Sequence, residues 1–218
     1  MTMSVTSHLT PEKALIFRIT HRDNVPWILD HGLHCATSSI RDPDFVTIGS
    51  QEVIGKRANR HAPDPPGGTL EDYIPFYFTP LSPMLLNIKT GLHGVVQRPM
   101  EEIVILVSSL HLLIEHGLRF VFTDRHAIYL ATNFFSDLED LDKIPWQQLQ
   151  NRDFKKDPED PDRFERYQAE ALVHQHLPVT ALKGIVCYNE AVKTVIDREL
   201  ESRSLELEVR VFAGWFFR

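Results

Sequence analysis

Glu102-Ile-Val-Ile-Leu-Val107 is the segment that most restricts the fold of this chain. Its apolar, mostly β-branched run shows no polar alternation, so it reads as a strand buried inside a sheet. The C-terminus reads differently. Leu205, Leu207, Val209 and Val211 alternate with Glu206, Glu208 and Arg210, which predicts a half-exposed antiparallel strand. Shorter runs at 14–19, 73–78, 119–123 and 184–188 predict further strands, and Pro75 places the second of these at a sheet edge or a strand start. Residues 169–175 suit strand or helix.

Helices are marked by their ends. Asp23 or Asn24 can N-cap a short helix with Pro26 in its first turn, Val25, Ile28 and Leu29 as its apolar stripe, and Gly32 as terminator. A second helix is predicted from about Asp124 to Phe135, and a third from an Asn189 cap to about Ser202. Periodicity vanishes between Cys35 and Thr69, a Pro- and Gly-rich stretch that reads as a functional loop or hides a short helix around 51–59. The charged, Pro-punctuated stretch 152–166 reads as loop. The chain has 218 residues and neither repeat nor linker, so one α+β domain over 1–218 is the economical reading.

Charge and cysteine usage remove several classes. Lys and Arg number 23 against 30 Asp and Glu, a formal charge of −7, which argues against a protein that coats nucleic acid non-specifically. Much of the surplus lies late, with 12 basic against 17 acidic residues from His126 onward. Residues 53–63 nevertheless carry Lys56, Arg57 and Arg60 with no carboxylate, a local basic patch of the kind a backbone-tracking surface needs. Cys35 and Cys187 are too few for a disulfide framework and read as small buried hydrophobes. Residues 1–10 lack the apolar core of a signal peptide, and no apolar run approaches the roughly 20 residues of a membrane helix, so a cytoplasmic protein away from membranes is expected.

Familiar catalytic signatures are missing: no phosphate loop, no GxSxG elbow, no HExxH and no paired CxxC. His174 and His176 form an HxH pair without a third ligand in register, so no metal is expected. Three constellations remain. Thr20-His21, followed by Asn24, ends the first strand, where a polar side chain can meet a ligand or simply cap the next helix. Arg57, in Ile54-Gly-Lys-Arg-Ala-Asn-Arg60, offers a planar fork suited to a diphosphate, or belongs to a solvated basic face. Glu170 is a lone carboxylate in Tyr167-Gln-Ala-Glu-Ala-Leu-Val173, costly among apolar residues unless it caps or belongs to a site.

Four stretches carry a family resemblance: Phe17-Arg-Ile-Thr-His-Arg-Asp-Asn24, Pro66-Gly-Gly-Thr-Leu-Glu-Asp-Tyr-Ile-Pro-Phe-Tyr-Phe-Thr-Pro-Leu-Ser-Pro-Met84, Phe122-Thr-Asp-Arg-His126 and Arg166-Tyr-Gln-Ala-Glu-Ala-Leu-Val173. In these the chain resembles the DarT family of DNA ADP-ribosyltransferase toxins. The resemblance implies an ADP-ribosyltransferase-like split antiparallel β core with surrounding helices. It implies NAD as ADP-ribose donor, a guanine or thymine of single-stranded DNA as acceptor, release of nicotinamide, and a macrodomain antitoxin as partner. The wording of the FTPLSPM and FTDRH stretches leans toward guanine. The family's catalytic Glu falls on Glu170 and its catalytic Arg on Arg57, with Arg60 as the alternative. His21, Asn24 and Thr20 match the first NAD-binding stretch, with Arg57 adding to that site. Arg60, Tyr77, Met84 and His126 lie in segments facing the cleft and the DNA.

Those residue types suit the chemistry. Cleaving the nicotinamide–ribose bond generates an oxocarbenium-like ribose, which a neighbouring carboxylate can stabilise. The same carboxylate can take a proton from the attacking base. Aromatic side chains such as Tyr73, Phe76, Tyr77 and Phe78 can stack nicotinamide or a base, each stack contributing roughly 1–3 kcal/mol, and about half of them are expected to be core instead. A monomer is expected. An RNA or protein acceptor, or a nucleic-acid-binding module without catalysis, are the alternatives.

Overall fold

In the computed structural model, which describes residues 6–217, the apolar run at 102–107 becomes the strand β4 (Ile103–Ser109), buried along its whole length. The first five residues of the expected leaderless N-terminus lie outside the described residues. β4 sits deep in an eight-stranded sheet with β1 (Leu15–His21), β3 (Tyr73–Tyr77), β5 (Phe120–Thr123), β6 (Phe134–Phe135), β7 (Glu170–His174), β9 (Gly184–Cys187) and β10 (Glu208–Val211). The strand order is β10-β9-β4-β1-β3-β7-β5-β6. β2 (Leu33–His34) and β8 (His176–Leu177) form a separate antiparallel pair. Around the sheet run α1 (Val25–His31), α2 (Gln51–Arg57), α3 (Pro83–Thr90), α4 (Leu110–Glu115), α5 (Trp146–Asn151), α6 (Arg163–Arg166) and α7 (Glu190–Ser202). Among the described residues no helix is long and apolar enough to cross a membrane.

The sheet is split in its middle. β1 pairs with β4 from Leu15↔Ser109 to His21↔Ile103, yet shares with β3 only the pair Phe17↔Tyr77. Beyond that pair β1 and β3 diverge, while β3 stays paired with β7 from Tyr73↔His174 to Tyr77↔Glu170. This corrects the edge position expected from Pro75. β3 is an interior strand, and Pro75 is tolerated because no β1 backbone faces it to accept an amide proton. The Pro75 carbonyl, which would have paired with β1, accepts instead from Arg18 Nη1 at 2.8 Å.

Helix signals at the ends of the chain hold except one: Asn24 occupies the cap position of α1 but turns its side chain to Thr20 and Val46 and makes no capping bond. α1 carries Pro at its start, buries Val25, Ile28 and Leu29, and stops at Gly32 with φ 78°. A Cβ at Gly32 would lie 2.6 Å from both His176 Nε2 and the Leu177 carbonyl, so the left-handed turn also lets β8 approach. α7 is capped by the Asn189 side chain and buries Val192, Ile196 and Leu200 at helical spacing.

Two expectations fail. Residues 124–133 form a looped turn, not a helix, because their polar groups bond elsewhere: the Asn133 amide and side chain both donate to Asp124, at 3.1 and 2.8 Å. The last strand is shorter than expected and runs parallel to β9, from Glu208↔Gly184 to Val211↔Cys187. The intervening α7 carries the chain back to the same end of the sheet, which makes β9–α7–β10 a crossover unit. Residues 169–175 resolve as strand β7, and 152–166 is loop apart from the single turn α6.

Candidate active site

Glu170 opens β7 at the point where β3 crosses the end of the split, directly opposite Tyr77. It is 1% exposed. Its backbone is fixed by Thr123, whose hydroxyl accepts from the Glu170 amide at 3.0 Å and lies 3.3 Å from the Glu170 carbonyl. The carboxylate meets three partners. Oε2 accepts from Arg57 Nη1 at 3.0 Å, and Oε1 accepts from the Ala127 amide at 3.0 Å. His126 Nδ1 stands 2.7 Å from Oε1, a charge contact without a well-formed hydrogen bond. Burial alone would raise the carboxyl's pKa. The charges of His126 and Arg57 and the donated hydrogen bonds outweigh it and hold the group at about 2. Glu170 is therefore an anion at any physiological pH.

Arg57 ends α2, a helix started by Ser50, whose hydroxyl accepts from the Val53 amide. The side chain is 9% exposed, and its Nη2 donates to the Leu70 carbonyl at 3.3 Å. Leu70 is placed by the Gly67-Gly68-Thr69 turn. Gly68 has φ 83°, a Cβ there would meet Asp72 Oδ2, and Thr69 and Asp72 close a reciprocal cap. Tyr73 locks the same turn by donating its hydroxyl to the Gly67 carbonyl at 2.7 Å. The long motif is thus a scaffold for Arg57.

Arg60 does not share that position. Its Nε and Nη2 donate to the Ala127 and Tyr129 carbonyls at 3.3 and 3.1 Å, and its guanidinium lies over the Phe134 ring. Between Arg57 and Arg60, it is Arg57 that touches the carboxylate, while Arg60 holds the 124–133 loop against the site. The expected basic patch is consequently dispersed. Arg57 is buried on Glu170, Arg60 is spent on carbonyls, and Lys56 pairs with Glu52 at 2.6 Å.

The split between β1 and β3 opens into a cavity of about 460 Å³ lined by Arg18, Trp27, Phe45, Arg57, Tyr73 and Pro75, among others. Arg18 was missed by sequence reasoning. Its buried Nε has no hydrogen-bond partner, and no carboxylate pairs with it among the described residues. Burial, reinforced by the like charge of Arg57, lowers its pKa to about 10. The available signal was an arginine inside the apolar run of Leu15 to Ile19.

Thr20, His21 and Asn24 are buried beside the cavity rather than on its wall. His21 caps the turn after β1, its Nδ1 accepting from the Asp23 amide at 3.2 Å, and its Nε2 lies 3.3 Å from Glu102. Asn24 donates to the Thr20 hydroxyl at 3.1 Å and clamps Val46 twice, donating to its carbonyl at 3.0 Å and accepting from its amide at 2.8 Å. That clamp positions Phe45 and Thr47, which do line the cavity. Tyr77 is half-buried, and burial together with the Glu170 charge raises its phenol's pKa. Met84, near the start of α3, is half-buried and packed on the main core. Phe76 and Phe78 are wholly core. His174 and His176 diverge, the first against the Tyr73 ring and the second against the His34 ring. No group of three or more His, Cys, Asp or Glu among the described residues is placed to hold a metal ion.

A split antiparallel sheet with an Arg–Glu couple at the split, beside a cavity lined by further arginines, has the architecture of an ADP-ribosyltransferase. The family model described as ssDNA thymidine ADP-ribosyltransferase, DarT, matches residues 17–217, and the chain belongs to that family. A DNA ADP-ribosyl transferase of Escherichia coli O127:H6 (strain E2348/69 / EPEC) is 52% identical over 217 residues, 100% of each chain. One from Thermus sp. (strain 2.9) is 38% identical over 182 residues, 84% of this chain and 85% of its own. The solved structure of Thermus sp. 2.9 DarT in complex with ADP-ribosylated ssDNA matches with a TM-score of 0.87 at 34% identity, covering 95% of this chain and 98% of that one. The same protein in complex with NAD+ matches with a TM-score of 0.82, covering 95% and 99%.

Proposed function

We propose that this chain transfers ADP-ribose from NAD to a thymine of single-stranded DNA and releases nicotinamide. The observation that carries the reading is the buried Arg57–Glu170 pair, whose Arg57 lines a cavity that also carries Arg41 and Arg18, the latter with a buried nitrogen without a partner. The cavity wall carries Arg41, Asp42 and Glu71 as well, and within it Arg57 and Arg18 offer planar guanidinium forks that suit a pyrophosphate. Glu170 is ionised and desolvated, placed to stabilise the positive charge that develops on ribose as the glycosidic bond breaks. The nicotinamide–ribose bond is exchanged for a bond from ribose to a thymine ring nitrogen, nicotinamide leaves neutral, and the proton of that nitrogen passes to the Glu170 carboxylate or to solvent.

Single-stranded DNA as acceptor is supported by the Thermus sp. 2.9 complex with ADP-ribosylated ssDNA, and thymine by the family description. The lean toward guanine in the sequence motifs finds no such support. A toxin role with a macrodomain antitoxin rests on the family resemblance, and co-expression with such a partner should relieve growth arrest.

Incubating the chain with labelled NAD and single-stranded oligonucleotides, with RNA and protein acceptors in competition, tests the reading. Label should appear on thymine-containing DNA, with mass spectrometry placing ADP-ribose on that base. Label confined to RNA or protein would overturn the DNA assignment, and label on guanine would overturn the base.

A further inference from the structure

On one side the large sheet ends at β10, and the outer edge of that strand is bare. The Phe212 amide donates to the Cys187 carbonyl at 3.1 Å, and a Cβ on Gly184 would stand 2.7 Å from the Glu208 carbonyl. Residues 208, 210 and 212 therefore turn their backbone groups inward to β9, and by the alternation of a strand 207, 209 and 211 turn theirs outward. Among the described residues no hydrogen bond reaches the amides and carbonyls of Leu207, Val209 and Val211. Such edges are commonly closed by a proline or a bulge, and β10 has neither.

The strand pattern also runs past the pairing. Apolar and polar residues alternate from Leu205 to Val211, but β9 begins opposite Glu208, so residues 205–207 carry a strand pattern with no strand beside them. The side chains suit one particular neighbour. Glu208 and Arg210 share the open face, ion-paired at 2.6 Å with side chains 57% and 71% exposed. Laying a second β10 antiparallel along the edge, centred on Val209, puts Val209 opposite itself and Leu207 opposite Val211, each with its backbone turned to the shared edge. The same register sets Glu208 of each copy opposite Arg210 of the other, in the pairs where side chains come closest, with Cα atoms about 4.5 Å apart. Centring on Glu208 or on Arg210 instead sets like charges face to face, so the charges select the register.

We propose that β10 is the interface of a twofold-symmetric dimer, in which two copies of this chain join their sheets edge to edge. Backbone bonds between Leu207 and Val211 and between the two Val209 residues, about six in all, attach the copies, and the crossed Glu208–Arg210 pairs fix the register. Residues 205–207 gain from the second copy the strand that β9 does not supply. Half-buried Leu207 and Val211, with Phe212 at 42% exposure, lose water in the process. The dimer departs from the monomer expected from the sequence. Three strands, β9, β4 and β1, separate this edge from the split that holds the Arg57–Glu170 pair.

Light scattering on the full chain across a concentration series tests the interface, with near-ultraviolet circular dichroism to check that each variant is folded. Wild type should rise from the mass of one chain to that of two. Glu208→Arg and Arg210→Glu each oppose like charges across the axis, so each alone should stay at the mass of one chain. Mixed in equal amounts, these two variants should form a mixed dimer, because every arginine then faces a glutamate. The chain carrying both substitutions should regain the wild-type mass. Val211→Pro removes an amide that the ladder to β9 does not use, and should keep the fold while losing the dimer. Should that variant fail to fold, the exposed charge variants decide alone. Wild type at the mass of one chain throughout, the result if the edge serves a different protein, overturns the dimer. A dimer that persists in both charge variants, or a mixture of them that does not pair, overturns the interface.

Discussion

Arg57 Nη1 donates to Glu170 Oε2 at 3.0 Å across 113 residues of sequence, with both side chains buried. Glu170→Gln keeps the shape of that contact and removes the charge. Losing a pre-placed electrostatic group costs on the order of 100- to 1,000-fold in rate, so nicotinamide release should fall by about that factor. The same change leaves Arg57 buried opposite His126 without its anion, which should lower unfolding free energy by about 3 kcal/mol in a denaturant titration. A variant retaining more than about a tenth of wild-type turnover would remove Glu170 from catalysis.

That carboxylate also sets an acid limb of stability. Its value is about 2 in the folded chain against an ordinary 4.5, so the folded state binds fewer protons than the unfolded one between those values. Its contribution is complete above about pH 4.5 and is lost as the pH falls toward about 2. Comparing wild type with Glu170→Gln, the gap in unfolding free energy should narrow by about 2 kcal/mol between pH 7 and pH 3. A gap that stays constant over that range would mean the carboxyl is not held down.

Much of this was legible because the signals were local. The Pro and Gly ends of α1, the Asn189 cap of α7 and the unbroken run of β4 depend on nearest neighbours alone. Glu170 was legible as a charge among apolar residues, and Arg57 through the resemblance. What stayed hidden depends on distant partners. Residues 124–133 have helical composition, but Glu170, Arg60 and Asp124 take their backbone and side-chain bonds. Pro75 reads as an edge residue because a split inside a sheet has no sequence signature, and Arg18 gains its meaning only from that split. The direction of β10 follows from what α7 packs on, which alternation cannot reveal.

Asn24 acts on the cavity through Val46, and its removal should separate binding from chemistry. Asn24→Ala breaks two hydrogen bonds that hold the segment carrying Phe45 and Thr47. The NAD KM should rise about tenfold with kcat little changed, a size expected for two modest hydrogen bonds. Asn24→Asp keeps an acceptor for the Val46 amide and should recover part of the loss. A fall in kcat at unchanged KM would place Asn24 in the chemical step instead.

The two thiols can report where NAD lies. Cys35 lines the cavity, whereas Cys187 is buried beneath α7, its thiol pushed up to about 12 by burial. Alkylation followed by peptide mass analysis should label Cys35 slowly, and saturating NAD should slow it further. Cys187 should resist labelling with or without NAD until the chain unfolds. Equal labelling of Cys35 in both conditions would place the dinucleotide elsewhere.

Arg18 should show a trade of stability for binding. Its guanidinium is desolvated, its Nε bonds to nothing among the described residues, and the like charge of Arg57 acts on it. Arg18→Met retains the apolar stem and removes the cation, so the melting temperature should hold or rise. With one guanidinium fewer for the pyrophosphate, the NAD KM should rise at least about tenfold, in line with a lost charge-assisted hydrogen bond. Arg18→Lys should recover charge without the fork and fall between the two. A variant that melts lower and binds NAD normally would make Arg18 a structural bridge to the Pro75 carbonyl and nothing more.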